Sequence, residues 1–172
     1  REDILNRVPV NIAASVVEFK NGYFLTQPAF YVGRRKGVQK KVKDMNEYLY
    51  RSGKNNADNK AADWFHTVGK GVIFVEPSDE DGVPYHAYAL DPRSAFVVYS
   101  LKPGNKPVMG VNFVVTDGKA RFDVFTEQYV FHLSGVTTGK MITYENNCNF
   151  LATAVNLESV ESNVLGKIPI IE

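Results

Sequence analysis

Residues 71–100 read GVIFVEPSDEDGVPYHAYALDPRSAFVVYS and contain three runs rich in β-branched and aromatic residues, separated by two turn signals. Asp81-Gly82 suits a tight turn, because glycine accepts a positive φ. Asp91-Pro92 suits a second turn, because proline lacks the backbone donor that a central strand needs. The stretch therefore predicts an antiparallel meander. We expect the helices before it to cover one of its faces, and the strands after it to extend it.

The apolar spacing ahead of this meander predicts three helices. The first runs from Pro9 to about Asn21, with Pro9 in its first turn and Asn21-Gly22 as a left-handed C-terminal cap. Its wide apolar stripe predicts a well-buried helix, and the stripe comprises Ile12, Ala13, Val16, Val17, Phe19, Tyr23 and Phe24. A short strand is predicted at 29–32, after Gln27-Pro28.

The second helix is predicted from about Val38 to Arg51, and a polar loop over 52–60 separates it from the third. A cap at Asn56 or Asp58 begins the third helix, which runs to about Val68 and ends at Gly69 and Gly71. Trp64 lies on the apolar stripe of this helix, so a core role is favoured over a role as a binding anchor.

Alternating segments after the meander predict further strands, over 108–116, 120–126, 129–133, 141–145 and 150–157. Turns are expected at Asp117-Gly118 and at 137–139, and a loop at 146–149. The predicted fold is α+β, with about three N-terminal helices packed on a largely antiparallel multi-stranded sheet. We expect 1–172 to be a single domain, mainly helical over 1–70 and mainly β over 71–172. Both ends suggest a domain excised from a longer chain.

The composition and motifs predict no catalytic, cofactor-binding or metal site. The formal charge is +1, and the single cysteine, Cys148, excludes an intrachain disulfide and a cysteine zinc cluster. His66, His86 and His132 are isolated in sequence, with none at metal-ligand spacing. No phosphate-binding loop or nucleophile elbow is present, and no apolar run is long enough to span a membrane.

The strongest charge bias lies between Gly33 and Lys43, in six cations: Arg34, Arg35, Lys36, Lys40, Lys41 and Lys43. One interpretation is a solvated helix face preceded by a basic loop. The other is a patch that contacts the phosphates of a nucleic acid. The first is favoured, because no aromatic residues are interleaved and no groove-reading motif is present.

Four segments, in this order and spacing, resemble the portal proteins of tailed bacteriophages. They are NIAASVVEFKNGYFLTQP at 11–28, GKG at 69–71, LDP at 90–92 followed by FVVYS at 96–100, and the closing GKIPIIE at 166–172. Residues 133–165 carry little of the resemblance. The resemblance implies the wing region of a portal subunit, without catalytic activity or a cofactor.

Such a subunit is expected in a homo-oligomeric ring, a dodecamer in the complete protein, at the portal vertex of the virion. Double-stranded DNA would be packaged and ejected through the ring, and the tail would attach to it. Terminase, scaffold or capsid proteins and head-completion proteins would bind mostly through regions outside this chain. Assembly would take place in the host cytoplasm. The basic stretch would then face packaged DNA or an acidic face of the next subunit.

Two other functions remain open from the residues alone. A nucleic-acid-binding domain would use the basic stretch over 34–43. An enzyme fragment would require histidine and carboxylate side chains that converge in space, and a deep pocket lined by such groups would count strongly against a purely structural role.

Overall fold

The computed structural model describes the backbone of residues 10–116, 119–143 and 149–172, and the side chains of these ranges except 136–155. Three helices come first: α1 (Ile12–Phe24), α2 (Gln39–Arg51) and α3 (Lys54–Val68). The strands that follow are β1 (Val72–Pro77), β2 (Tyr85–Leu90), β3 (Ala95–Tyr99), β4 (Pro107–Thr116), β5 (Lys119–Phe125), β6 (Tyr129–Thr143), β7 (Asn149–Ser162) and β8 (Ile170–Ile171).

These strands form two antiparallel sheets, which together with the helices make three layers. The inner sheet has the order β2-β1-β8, and the outer sheet has the order β3-β4-β5-β6-β7. Helix α3 packs on β1 and β2, while β8 packs on β3 and β4. The predicted α+β class is confirmed. The predicted meander is correct for the β1–β2 hairpin and wrong for β3, which leaves the inner sheet and starts the outer one.

The seam between the two sheets holds the hydrophobic core. Val72, Ala95, Val97 and Ile170 are buried there, and the half-buried side chains of Phe74, Leu90, Phe125 and Ile168 pack around them. The rings of Phe74 and Phe125 lie 5.3 Å apart. Each fully buried aliphatic side chain contributes about 1.5–3 kcal/mol to stability.

The helices approach the other face of the inner sheet through small side chains. Ala57 and Ala61 of α3 are buried, as is Ala87 of β2. The backbone N–H of Ala87 donates to the carbonyl of Ser52 at 2.8 Å, in the turn between α2 and α3. A Cβ on Gly71 would lie 2.6 Å from the Ala61 carbonyl oxygen, so this contact requires glycine. Small residues therefore set the distance between helix and sheet.

Helix α1 differs from its prediction in both extent and burial. It continues through Gly22 to Phe24, where the N–H of Leu25 donates to the Asn21 carbonyl, so the predicted glycine cap is wrong. Pro9 lies outside the described residues. The predicted burial is also wrong, since no residue of α1 is buried. Apolar side chains of α1, such as Phe19 and Tyr23, are exposed rather than packed against other described residues.

Two shorter predictions between the helices are also wrong. Residues 29–32 form no strand; Asn46 instead binds both the N–H and the carbonyl of Tyr31, at 2.8 and 2.9 Å. Residues 52–60 are largely helical rather than a loop, because left-handed Gly53 allows α3 to begin at Lys54. Asn56 and Asp58 therefore lie inside α3. The predicted end of α3 at Gly69 is confirmed, and Gly69 lies in the left-handed region.

The later strands are longer than predicted. The hairpin of β4 and β5 is confirmed by the pair Thr116↔Lys119, while its predicted turn at Asp117-Gly118 lies outside the described residues. The predicted turn at 137–139 is wrong, because β6 continues there and an irregularity in its pairing with β7 absorbs the mismatch. The predicted strand at 150–157 extends to Ser162. Residues 144–148, including Cys148 and most of the predicted loop, lie outside the described residues.

Candidate nucleic-acid and subunit contact surfaces

The basic segment, defined as the six cations named above, lies before and at the start of α2. All six side chains are exposed. Arg34, Arg35 and Lys36 occupy the loop before the helix, and the three lysines occupy its first half. Within the described residues none of the six forms an ion pair. The segment therefore presents uncompensated positive charge to its surroundings.

The loop of the basic segment has a fixed backbone path. Asn46 holds Tyr31 by the two hydrogen bonds given above. A Cβ on Gly33 would lie 2.9 Å from Cγ2 of Val38, so the loop packs directly on α2. At its other end Gly37 has a φ of +87° and donates its N–H to Oε1 of Gln39 at 3.0 Å. The three cations before α2 are therefore carried on a loop whose backbone is fixed by these contacts.

The start of α2 is electrostatically unfavourable on its own. Val38 provides no side-chain cap, and no acidic residue lies in the first turn. Lys40 and Lys41 instead place positive charge beside free backbone N–H groups and the positive end of the helix dipole. A bound anion would relieve both costs. This arrangement suits a phosphate or carboxylate contact.

A cleft between the two sheets brings together three titratable side chains from β5, β6 and β7. It has a volume of about 390 Å³ and is lined by Asp123, His132 and Glu161 among others. Nδ1 of His132 lies 2.7 Å from Oδ1 of Asp123, and Nε2 lies 3.9 Å from Oε1 of Glu161. This is the convergence that an enzyme would require, and sequence spacing did not reveal it.

The arrangement around His132 lacks the other parts of a nucleophilic site. Both ring nitrogens face carboxylates, so neither is directed at a nucleophile. Within the described residues no serine, threonine or cysteine side chain hydrogen bonds to His132, and no group of three or more ligand-type side chains is placed to hold a metal. The cluster links three neighbouring strands across the cleft.

The two faces of the outer sheet differ in polarity. The face toward the seam carries the apolar core side chains Ala95, Val97 and Phe125 and also the polar Asn112, Asp123, His132 and Glu161. Cross-strand pairing places six apolar side chains at the centre of the opposite face, here called the apolar outer face: Val111, Phe113, Phe122, Val124, Phe131 and Leu133. Val111 is buried and the other five are half-buried. Within the described residues no helix makes an extended contact with the outer sheet.

Helix α1 also has an apolar side. Its α1 stripe, defined as Ile12, Val16, Phe19 and Tyr23, is exposed, with Phe19 at 73% and Tyr23 at 75%. The helix contacts α3 through Asn21, whose Nδ2 donates to Oδ1 of Asp63 at 3.2 Å. Asn21 lies nine residues, or about two and a half turns, after Ile12 and so on the opposite side. The side of α1 that faces the protein carries Asn21 and the half-buried Val17, and the α1 stripe lies on the other side.

Trp64 lies where α3 meets the turn between β2 and β3. Its ring is half-buried, and the Arg93 guanidinium lies 5.3 Å from the ring centroid. Arg93 also binds the Asp91 carboxylate, with Nη2 to Oδ2 at 2.6 Å. This hydrogen bond and that from the Arg93 N–H lower the pKa of Asp91. Trp64 therefore contacts the protein itself through Arg93, but it is half-buried and lies outside the buried core cluster.

Comparison with known families assigns this architecture. A family model described as phage portal protein, SPP1 Gp6-like, matches residues 3–172. The match includes 133–165, where the sequence resemblance was weak. A search of curated proteins finds no significant match. None of the described helices combines the length and the apolar character needed to cross a membrane.

Proposed function

This chain belongs to the phage portal protein family, and from that premise we propose that it forms the wing-like part of one subunit in a portal ring. Portal proteins are structural proteins of the virion that assemble as oligomeric rings at the portal vertex. The observation that carries the proposal is the family match, which extends over nearly the whole chain. We also propose that residues 1–172 form one domain.

In this proposal the ring is a dodecamer through which double-stranded DNA is packaged and ejected, and to which the tail attaches. The subunit performs no catalysis and holds no cofactor. Terminase, scaffold or capsid proteins and head-completion proteins bind the ring mostly outside this chain, and the ring assembles in the host cytoplasm. The three-layered fold supports a stiff block of this kind, because both sheets and the helices share continuous packing.

Localisation in particles tests this function. An epitope is inserted in the exposed loop at 101–105 of the complete gene product. It is expected to label one vertex of each particle in electron microscopy. Deleting the gene is expected to yield heads without DNA. A label spread over all vertices, or DNA-filled heads without the protein, would contradict the portal assignment.

A second function, contact with DNA through the basic segment, is supported by its six exposed cations and by the uncapped start of α2. Titration of a DNA duplex at two salt concentrations tests it. Affinity is expected to fall as salt rises, with a logarithmic slope of about −0.9 for each phosphate neutralised. Absence of binding, or binding without a salt slope, removes this function.

A matched pair of variants makes the assignment specific. Replacing Arg34, Arg35 and Lys36 together with Gln should reduce the salt slope by about 0.9 for each phosphate that these side chains neutralise. The control replaces Lys102, Lys106 and Lys167 with Gln, since these are three exposed cations outside the segment. An equal effect of both variants would mean that binding follows net charge alone.

A further inference from the structure

The cleft between the two sheets has no role in the proposed function. Its volume of about 390 Å³ lies within the range of about 300–1,000 Å³ that is typical of small-ligand sites. Apolar side chains make up part of its lining, among them Phe74 and Phe125, whose ring centroids lie 5.3 Å apart. Polar side chains from both sheets make up the rest. A cleft of this composition suits a ligand that has an apolar stem and a polar end.

Three carboxylates line the cleft, one from the inner sheet and two from the outer sheet: Glu76 of β1, Asp123 of β5 and Glu161 of β7. Glu76 follows Phe74 by two residues, so both side chains lie on the face of β1 that meets the outer sheet. The described lining contains no lysine or arginine. Even when His132 is charged, the cleft therefore carries more negative charge than positive.

The three carboxylates differ in the partners that they have. Oδ1 of Asp123 lies 2.7 Å from Nδ1 of His132. Oε1 of Glu161 lies 3.9 Å from Nε2 of the same ring, which is too far for a hydrogen bond. Among the described residues, Glu76 forms no ion pair. Glu76 and Glu161 can therefore accept hydrogen bonds from a cation in the cleft, and such charge-assisted bonds are about twice as strong as neutral ones.

One wall of the cleft is held in place by the protein itself. This wall is residues 163–165, which follow β7. The backbone N–H of Asn163 donates to the Gln128 carbonyl at 2.9 Å. The Asn163 side chain donates to the Lys167 carbonyl at 2.8 Å and accepts from the Leu165 N–H at 3.0 Å. A cleft that is already formed loses little conformational entropy when a ligand binds.

We propose that this cleft binds an alkylguanidinium group, the group that ends an arginine side chain. A guanidinium is planar, presents its donors in a fork that matches carboxylates, and stacks on aromatic rings. Glu76 and Glu161 supply the acceptors from the two sheets, and Phe74 and Phe125 supply the rings. An ammonium fits less well, because it is a compact and strongly hydrated charge. A free guanidinium compound and an arginine of a partner protein share this chemistry.

An NMR titration of the isotopically labelled 172-residue chain with butylguanidinium tests this site. N-butylurea is the matched ligand control, because it has nearly the same shape and no charge, and butylammonium tests the preference for the guanidinium. The variants in the cleft are Glu161→Gln alone and Glu161→Gln combined with Glu76→Gln. The control variant is Glu18→Gln, at an exposed position of α1 outside the cleft. The dispersion of the amide signals measures the folding of each variant.

Butylguanidinium should shift the amide signals of cleft residues such as Asp123, His132 and Leu165. The expected Kd is about 1–10 mM, because the ligand is small. Glu161→Gln should weaken binding about three- to tenfold, since the side chain is largely exposed. The double variant should weaken binding further, and Glu18→Gln should leave the Kd unchanged.

A capped Ala-Arg-Ala peptide distinguishes the two sources of the guanidinium. Tighter binding of the peptide than of butylguanidinium would indicate an arginine of a partner protein, because backbone contacts then add to those of the side chain. Weaker binding would indicate a free compound. Either result, with the expected effect of Glu161→Gln, supports the proposal.

Four outcomes would overturn the proposal. Equal binding of N-butylurea would show that the cleft accepts apolar stems regardless of charge, and equal binding of butylammonium would show that it does not recognise the guanidinium fork. An equal loss in Glu18→Gln and Glu161→Gln would indicate general attraction to surface carboxylates. Absence of shifts in the cleft at about 50 mM ligand would exclude a site of this affinity. None of these results changes the vertex label, so the portal assignment is tested separately.

Discussion

The seam between the two sheets and the apolar outer face are built from the same strands with the same kinds of side chain, yet among the described residues they are covered to different degrees. The seam buries Ala95 and Val97, whereas the outer face is half-buried at its centre and exposed at its margin, as at Phe96 and Val115. Val97 and Phe125 point into the seam, while their sequence neighbours Val98 and Val124 point outward. A strand that is apolar on both faces requires a layer on each side. The described residues supply the layer on the seam side, which is the inner sheet.

The helical layer offers a parallel comparison. Helix α3 is buried at Ala57 and Ala61, where it meets the inner sheet, whereas the more apolar α1 has no buried residue. Apolar content therefore does not decide which helix is buried within one subunit. What decides it is which helix reaches a surface of the same chain, and the extended contact of α1 among the described residues is with α3.

The largest expected effect comes from truncating the seam. Ile170→Ala should lower the free energy of unfolding by about 2–5 kcal/mol, because it removes a buried side chain and leaves a cavity between the sheets. Urea unfolding measures the change. A decrease below about 1 kcal/mol would mean that Ile170 is packed no more tightly than a surface residue, which would contradict the difference between the seam and the outer face.

Adding a methyl group to the seam should have a somewhat smaller effect. Gly110→Ala places a Cβ 2.9 Å from Cβ of Ile170, and we expect the free energy of unfolding to fall by about 1–3 kcal/mol through overpacking. Gly22→Ala in α1 is the control, because nothing lies within 4 Å of its Cβ position, and it should stabilise by about 0.5–1 kcal/mol. Equal destabilisation by both would contradict the packing described.

A polar substitution at the margin of the apolar outer face should have little effect on the isolated subunit. Leu157→Ser, at a side chain that is 58% exposed, should change the free energy of unfolding by less than about 0.5 kcal/mol. The measurement is urea unfolding at dilutions where the chain is monomeric. A decrease as large as that of Ile170→Ala would show that this face is covered within one chain.

The smallest effect concerns the exposed pair of Asp91 and Arg93 at the crossing between the sheets. Because the pKa of Asp91 is lowered, the carboxylate stabilises the fold above its ordinary pKa of 3.8, and this contribution is lost as the pH falls through the lower folded value. Asp91→Asn should therefore have a lower Tm than the wild type near neutral pH. The difference in Tm between the two proteins should become smaller in acid. A difference that stays constant with pH would mean that the charge of Asp91 does not cause it.

Much of the fold could be predicted because its signals are local. The three helices follow from periodicity, and the hairpin turn of β1 and β2 follows from Asp81-Gly82, with Gly82 in the left-handed region. The strand predicted at 29–32 failed because a strand needs a ladder partner, and the partner of Tyr31 is a side chain, Asn46. The predicted turn at 137–139 failed because pairing with β7 overrode the local preference.

The candidate surfaces were predictable in part. The six cations of the basic segment could be named from the sequence, and their contact with DNA or a neighbour stays a prediction. The way Asn46 and Gly33 hold the loop could not be foreseen, because it depends on contacts between separate segments. The apolar outer face had a signal, since 108–115 is apolar at nearly every position, but the sequence does not indicate which side is covered.

The sequence by itself determined that this chain has three amphipathic helices, antiparallel hairpins and a concentrated run of positive charge, because each depends on residues close together in the chain. Only the tertiary structure decided that β3 starts a second sheet, that Asp123, His132 and Glu161 meet across three strands, and that α1 turns its apolar stripe outward. These features depend on which distant segments pack against the same surface, and the spacing of residues along the chain does not indicate which of them will do so.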